Sequence, residues 1–264
     1  MDLCLPELEK ELSAEIIGRK IYYFTEIGST NDEAFRLGKE GASEGTVVLA
    51  DSQVKGKGRL ERIWHSPPQV NIYTSIILRP DCLPVDASRI TIMGGLAVAE
   101  IIENICPGET RIKWPNDVLL SGKKVCGILA QMQSHGDKID FVVVGIGINV
   151  NMNVEELPLE IKSVATSIFV QTGELFSRQD ILISLYKNIS KWYKTFLAGG
   201  FDMIKEKWLT MAALIGGDVC VRFRNEVING KAVGIDQQGA LILSRPGGEI
   251  VKILAGDASI LKEN

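Results

Sequence analysis

The sequence predicts an α+β fold for most of the chain, followed by a small all-β barrel. Up to about residue 210, short apolar runs typical of strands alternate with longer segments of helical periodicity. After Gly216 and Gly217, only short β-rich runs separated by turn residues follow. We therefore expect two domains, residues 1–211 and 212–264. A chain of 264 residues with 45% hydrophobic content is long enough to bury a full core.

The first elements alternate strand, helix, strand. Strands are predicted at residues 21–24, 46–50 and 71–78, where apolar runs lie between turn-forming residues. The intervening helix is predicted over residues 29–37, because Thr30 followed by Glu33 has the spacing of a capping box. Gly38 and Gly41 are its expected stop.

A long amphipathic helix is predicted over residues 86–105, capped by Asp86 or Ser88 and ended by Pro107 and Gly108. Residues 111–132 then read as strands joined in a hairpin at Ser121 and Gly122. The remaining expected elements are a strand at 141–150, reached through a turn at 135–137, helices at 178–197 and 201–210, and barrel runs at 219–223, 232–235, 240–243 and 249–254. Turns at 224–225, 238–239 and 246–248 separate the barrel runs.

Charge and composition exclude several classes of protein. With 29 Lys and Arg against 33 Asp and Glu, the formal net charge is -4, so we expect no DNA binding. Five scattered cysteines without a C-x-x-C pair argue against a disulfide framework or zinc site and favour the cytoplasm. We expect no membrane segment, because no apolar run is long enough. The two histidines, His65 and His135, are expected to be surface or loop residues and not catalysts.

Residues 53–64 carry the strongest local signal. Four cations, Lys55, Lys57, Arg59 and Arg62, are interspersed with two glycines directly after a predicted strand. Glycine lets backbone amides approach a ligand, and the cations can neutralise phosphate or carboxylate. The segment predicts an anion-binding loop, although a solvated basic loop has the same composition.

Two further segments have both structural and functional interpretations. Lys113-Trp-Pro-Asn-Asp117 is good turn chemistry with a core Trp114, and it is also a place where Asp117 could bind Mg²⁺ beside a phosphate. Asn149 ends a glycine-containing strand, either as a turn residue or as a ligand for a flat molecule. No Walker loop occurs, and Gly145-Ile-Gly147 is a lone G-x-G within a strand.

Together these segments resemble biotin protein ligases, which attach biotin to a lysine of carboxylase carrier domains. The matching segments are Gly28-Ser-Thr-Asn31, Gly56-Lys-Gly-Arg59 with Arg62 and Trp64, Lys113-Trp-Pro-Asn-Asp117, Lys124 with Gly127, Gly145-Ile-Gly-Ile-Asn149 and Gly256-Asp-Ala-Ser. The resemblance implies a mixed sheet with packed helices, like class II aminoacyl-tRNA synthetases, and a barrel similar to Src-homology-three domains. It also implies ATP-dependent biotinylation through biotinyl-5'-AMP.

The resemblance also implies the site. Its catalytic residues would be Lys124 and Arg59. The biotin-binding set would be Ser29, Thr30, Asn31, Gln53, Gly56, Arg59, Lys124 and Gly127. The ATP and adenylate set would be Lys57, Gly58, Arg59, Arg62, Trp64, Asn116, Lys124 and Asn149. Asp117 would lie near Mg²⁺ and the phosphates.

The chain departs from the common family loop Gly-Arg-Gly-Arg-Arg-Gly-Arg at three positions. Lys57 keeps the positive charge but loses the bidentate fork of arginine. Leu60 and Glu61 make the loop less basic and less flexible.

Two other functions are compatible with the same fold. Lipoate or octanoate ligases and transferases share it, and a biotin-sensing repressor would need DNA binding. Only 28 residues precede Ser29, too few for the helix-turn-helix domain of some family members, so we expect a ligase without repressor function. The expected partner is a biotin carboxyl carrier domain. Some family members form homodimers through adjacent sheets, and the sequence leaves both states open.

Overall fold

The computed structural model describes residues 3–153, 157–223 and 226–261. Its helices are α1 Leu5–Glu11, α2 Thr30–Lys39, α3 Ala87–Ile105, α4 Leu159–Lys162, α5 Ile168–Thr172, α6 Arg178–Leu197 and α7 Phe201–Thr210. The first group of strands is β1 Ile21–Phe24, β2 Val47–Ala50, β3 Ile72–Leu78, β4 Thr110–Lys113, β5 Asp117–Leu120, β6 Lys123–His135 and β7 Lys138–Ile148. The second group is β8 Asp218–Phe223, β9 Glu226–Ile235, β10 Leu241–Ser244, β11 Ile250–Ile253 and β12 Asp257–Ile260.

The first seven strands form one mixed sheet in the order β1-β2-β3-β7-β6-β5-β4. β1 and β2 are parallel, and the remaining neighbours are antiparallel. β3 and β7 lie in the middle of the sheet, and most residues of both strands are buried. This burial on both faces fits their continuous apolar runs. The predicted mixed sheet is confirmed.

Helices cover both faces of this sheet. α2 packs on one face in a cluster with Val48, Phe141 and Val143. The other face belongs to the main core, where α3 lies against β6 and β4 and is in turn covered by α6 and α7. Gly94 and Gly95 on α3 face Ile128 and Ile112, so the helix lies close to the sheet.

The C-terminal strands form a five-stranded antiparallel sheet in the order β11-β10-β9-β8-β12. Their buried residues join the main core. Trp114 Nε1 donates to the Gly239 carbonyl oxygen at 2.9 Å, so a core tryptophan in the turn between β4 and β5 is anchored on a barrel loop. The predicted small β-barrel unit is confirmed, while the boundary near residue 212 stays a prediction.

The capping-box prediction at Thr30 is wrong. Ser29, not Thr30, occupies the N-cap position, and its side chain makes no capping hydrogen bond. Glu33 bonds Arg36 on the next turn, so it does not reach back to the helix start. Gly38 also does not stop α2, since the helix continues to Lys39 and buries Gly38 against Phe141. Gly41, at φ +86°, follows the C-cap residue.

At the start of α3, Asp86 holds the predicted N-cap position but its side chain makes no capping bond; it pairs with Arg89 instead. The other predicted cap, Ser88, donates to a barrel carbonyl. Four elements were not predicted, namely α1, α4, α5 and β12. The first three are seven residues or shorter, too short for a clear helical period. The predicted turn at 224–225 lies outside the described residues.

The helices 178–197 and 201–210 match their predictions. All five cysteines fall within the described residues and are free thiols. Both histidines are exposed, as predicted. Within the described ranges, every helix is too short or too polar to cross a membrane.

Candidate active site

A pocket lies between the start of α2, the glycine-rich segment and the strands β6 and β7, and we call it the principal pocket. One end of it is lined by buried polar side chains from the start of α2 and the segment after β2. The Thr30 backbone amide and hydroxyl both donate to Gln53 Oε1, at 2.9 and 3.1 Å. The hydroxyl of Ser75, on β3, lies 2.6 Å from Asn31 Oδ1. Ser29 Oγ is buried beside them without a hydrogen-bond partner among the described residues. A buried hydroxyl without a partner is costly, so this end is built for a polar ligand group.

Glycines on β6 and β7 form the floor of the pocket. A Cβ on Gly145 would lie 1.8 Å from Asn31 Oδ1, and one on Gly147 would lie 2.5 Å from the Trp64 ring. A Cβ on Gly127 would lie 2.9 Å from the same ring. The indole therefore lies flat against the sheet only because these positions lack side chains. Trp64 Nε1 is buried there without a partner in the described part of the chain.

The other end of the pocket is charged. Lys124 Nζ lies 2.6 Å from Asp117 Oδ1 and 5.3 Å from the centre of the Trp64 ring. Arg59 Nη1 donates to Asn116 Oδ1 at 2.9 Å, and Asn116 Nδ2 donates to the Ile128 carbonyl at 2.9 Å. Two cations thus meet at the end opposite the buried hydroxyls, so the pocket suits a molecule with a neutral polar head and an anionic tail.

The glycine-rich segment forms a small hairpin over this pocket. Gly58 N donates to the Arg62 carbonyl at 2.7 Å, and Trp64 N donates to the Gly56 carbonyl at 3.0 Å. Three of its four cations, Lys57, Arg59 and Arg62, are each held by a different part of the structure. Lys57 pairs with Asp32 on α2 at 2.5 Å, and Arg62 pairs with Asp257 on β12 at 2.8 Å, while Arg59 reaches Asn116.

The hairpin turn carries backbone strain. Leu60 and Glu61 have φ values of 53° and 59°, in the left-handed region that favours glycine. These are the central residues of a turn closed by the Arg62 amide on the Arg59 carbonyl at 3.1 Å. Strain of this kind is typical of functional loops.

Two ionisable groups at the charged end have shifted pKa values. Burial lowers the pKa of the Arg59 guanidinium, while the charges of Asp117 and Asp257 act in the opposite direction. Burial by itself would raise the pKa of the Asp257 carboxyl. The hydrogen bond from Arg62 and the charge of Lys113 outweigh it and bring that pKa below its usual range. The lowered pKa keeps the Asp257 carboxyl ionised at neutral pH and able to pair with Arg62.

The structure brings most of the sequence-predicted site residues into one pocket. Its lining includes Ser29, Thr30, Asn31, Gln53, Lys57, Gly58, Arg59, Trp64, Asn116, Lys124 and Gly127. Gly56, Arg62, Asp117 and Asn149 lie outside this lining. Gly56 packs against Trp64 O and Ser66 Oγ, and Asn149 Nδ2 donates to the Thr166 carbonyl at 2.9 Å.

Sequence reasoning missed Asp32, Tyr73 and Asp257. Asp32 directly follows the Ser-Thr-Asn segment, and Tyr73 lies two residues before Ser75 on the same face of β3. Both positions therefore carried a weak local signal for a place in the pocket. Asp257 lies in the matching segment Gly256-Asp-Ala-Ser, but nothing in that segment predicted its approach to the hairpin, which depends on how the barrel docks.

The fold and this pocket define an enzyme domain that binds an organic acid next to an anion-binding loop. Residues 23–149 match the biotin/lipoate A/B protein ligase family, and residues 214–261 match the biotin protein ligase C-terminal domain. The chain belongs to the biotin/lipoate protein ligase family.

Individual relatives agree with this assignment. The chain is 38% identical over 254 residues to the bifunctional ligase/repressor BirA of Bacillus spizizenii, covering 96% of this chain and 78% of the relative. It is 31% identical over 271 residues to the biotin–[acetyl-CoA-carboxylase] ligase of Mycobacterium tuberculosis, covering 96% of each. The biotin protein ligase from Aquifex aeolicus in complex with biotin and ATP superposes with a TM-score of 0.79 at 33% identity, covering 93% of this chain and all of that one.

Proposed function

We propose that this protein is a biotin–protein ligase that uses ATP to attach biotin to a lysine of a biotin carboxyl carrier domain. The observation that carries the proposal is the polarity of the pocket, which has buried uncharged hydrogen-bonding groups at one end and Lys124 and Arg59 at the other. Biotin has the matching order, with a neutral ureido ring at one end and a carboxylate at the other.

The ureido ring would lie among Ser29, Thr30, Asn31 and Gln53. The buried Ser29 hydroxyl has no hydrogen-bond partner in the part of the chain that the structure describes, so it can donate to the ureido carbonyl. Gln53 is already held by Thr30 and by its own Nε2 bond to Ser66 Oγ at 3.1 Å, so it meets the ligand in a fixed orientation. Preorganised polar groups of this kind discriminate strongly against molecules that lack the matching atoms.

The charged end would serve acyl activation. The biotin carboxylate must attack the α-phosphate of ATP, and pyrophosphate must leave, so two anions have to approach each other. Lys124 and Arg59 lower that repulsion, and both are fixed by Asp117 and Asn116 before substrate arrives. The product, biotinyl-5'-AMP, is a mixed anhydride that water destroys, so a hairpin that covers it protects it.

The nucleotide would lie along Trp64, with Lys57, Gly58, Arg62 and Asn149 contributing from its surroundings. Asn149 would take part only after its amide releases the Thr166 carbonyl or through its free oxygen. Gly56 and Gly127 would provide space for the ligand and the indole to lie close to the backbone.

Asp117 would hold Mg²⁺ together with the phosphates of ATP. Magnesium commonly uses one or two carboxylates and completes its shell with phosphate oxygens and water. A single carboxylate fits that mode, and within the described residues no cluster of three or more His, Cys, Asp or Glu could hold a metal alone. When bound, Mg²⁺ would supply neutralisation of the phosphate charge.

The wider setting follows from the same proposal. Residues 1–211 would bind biotin and ATP, and residues 212–264 would support the hairpin through Asp257. The free cysteines support a cytoplasmic location, and the net charge of -4 supports the absence of salt-dependent DNA binding.

The first test is calorimetric titration of the purified protein with biotin and, separately, with lipoate. A pyrophosphate-release assay with ATP and Mg²⁺ follows for whichever acid binds. We expect tight biotin binding with pyrophosphate release, and weak or absent lipoate binding, since a straight acyl chain has no ureido group for Ser29. Lipoate binding alone would assign the protein to the lipoate branch of the family.

A further inference from the structure

A second cavity of about 150 Å³ lies between the mixed sheet and the barrel. Its walls come from the start of α3, the turn between β4 and β5, the middle of β6 and two barrel loops. It shares Arg59, Asn116, Ile128 and Leu129 with the principal pocket. The two cavities therefore meet beside the Arg59–Asn116 hydrogen bond.

The lining of this cavity is mixed, with apolar side chains in the majority. Ile92, Trp114, Ala130 and Leu254 are among its apolar side chains, and the hydroxyl-bearing residues Ser88 and Thr91 also line it. The Ser88 hydroxyl is already engaged with the Gln238 carbonyl. Arg59, at the junction with the principal pocket, is the one titratable side chain among the described residues that line it.

This chemistry excludes the anionic reactants. Pyrophosphate would lose its water against a lining in which apolar side chains predominate, with one guanidinium to compensate, which is unfavourable. A chain of methylene groups is favourable there, because each buried methylene contributes roughly 0.8 kcal/mol. The acceptor lysine presents four methylenes ending in an amine.

We propose that this cavity is the entry channel for the side chain of the acceptor lysine. The inference rests on the proposed ligase function and assigns it a second subsite, specific for an aliphatic primary amine. The amine passes Asn116 and Arg59 to reach the acyl carbon of the adenylate. There the nitrogen bonds to that carbon, the bond from carbon to the phosphate oxygen breaks, AMP leaves with the electron pair, and the nitrogen's proton passes to water.

The channel also favours the reactive form of the amine. In water, a lysine amine at neutral pH is almost entirely protonated and cannot attack. Apolar walls disfavour the charged form, and the like charge of Arg59 at the inner end disfavours it further. An amine that reaches the adenylate through this channel therefore arrives neutral.

The test separates the two half-reactions in variants that fill the channel. Ala130→Leu and Thr91→Leu narrow it without touching the lining of the principal pocket, and Ala198→Leu, at an exposed position after α6, is the matched control. Pyrophosphate release is measured first, then single-turnover transfer from preformed biotinyl-5'-AMP to a biotin carboxyl carrier domain. Transfer to hydroxylamine is measured in parallel, because that nucleophile has no aliphatic stem.

We expect pyrophosphate release and hydroxylamine transfer within about twofold of the unmodified protein, and transfer to the carrier slowed at least about tenfold. The retained pyrophosphate release also reports that the variants are folded. If both variants transfer biotin to the carrier at the rate of the control variant, the proposed role of the cavity as the lysine channel is wrong. Equal loss of pyrophosphate release and carrier transfer would also overturn it, because the cavity would then serve the nucleotide step. No pyrophosphate release from the unmodified protein would instead overturn the proposed function.

Discussion

Lys124 and Asp117 form an ion pair across the hairpin of β5 and β6, with Nζ and Oδ1 2.6 Å apart. A register shift between Val118 and Leu119 interrupts the ladder between their positions. The pair places the ammonium at the charged end of the pocket, in contact with the face of Trp64. The ammonium is thus oriented before any ligand binds, which is what its proposed role in electrostatic catalysis needs.

Replacing Lys124 by Ala should reduce adenylate formation by about 100-fold or more, because preorganised groups that meet developing charge commonly contribute that much. The side chain is 31% exposed, so the fold should survive. Pyrophosphate release and thermal melting measure the two effects. Lys123→Ala, at the exposed neighbouring position, is the matched control and should be close to unmodified. Near-normal activity in Lys124→Ala would contradict the proposed catalytic role of Lys124.

Replacing Gly147 by Ala should displace Trp64, because the new Cβ would lie 2.5 Å from the indole. We expect the KM for ATP to rise at least about tenfold, with a loss of about 1–3 kcal/mol in stability from overpacking. Gly234→Ala is the control, since a Cβ there meets no atom within 4 Å. Unchanged KM and unchanged tryptophan fluorescence would contradict the proposed contact between Trp64 and the nucleotide.

The buried pair Arg178–Asp51 should behave as a unit. Arg178 Nη1 lies 2.8 Å from Asp51 Oδ1, and the Tyr23 hydroxyl donates to the same carboxylate at 2.5 Å. Arg178→Met would leave a buried carboxylate without its cation and cost about 3–5 kcal/mol in the free energy of unfolding. The double variant Asp51→Asn, Arg178→Met should recover most of that loss in urea unfolding. Additive losses in the double variant would show that the two residues act independently.

Replacing Glu61 by Gly should stabilise the closed hairpin. Glycine removes the steric cost of a left-handed backbone, which is about 1 kcal/mol for an ordinary residue. We expect release of biotinyl-5'-AMP to slow about fivefold, measured by trapping the free adenylate. Glu61→Ala removes the carboxylate but keeps the Cβ, so it should leave the release rate unchanged. Equal slowing in Glu61→Ala and Glu61→Gly would assign the effect to charge.

Much of the fold could be predicted locally because strands, helices and turns leave short-range patterns. The helices 178–197 and 201–210 were predicted with their observed bounds, and the strands around 46–50 and 71–78 within one residue. The wrong prediction at Thr30 arose because its hydroxyl has a stronger tertiary partner in Gln53 than the local backbone offers.

The sequence by itself determined the order of most elements, the second β unit and the basic, glycine-rich loop, since each depends on neighbouring residues. Only the tertiary structure decided which side chains meet. Asp257 reaches Arg62, and Arg178 reaches Asp51 across 127 residues, because the barrel and α6 dock against the ends of the sheet. Packing of distant surfaces also created the second cavity beside Arg59. Such contacts depend on the packing of whole elements, for which a local pattern carries no signal.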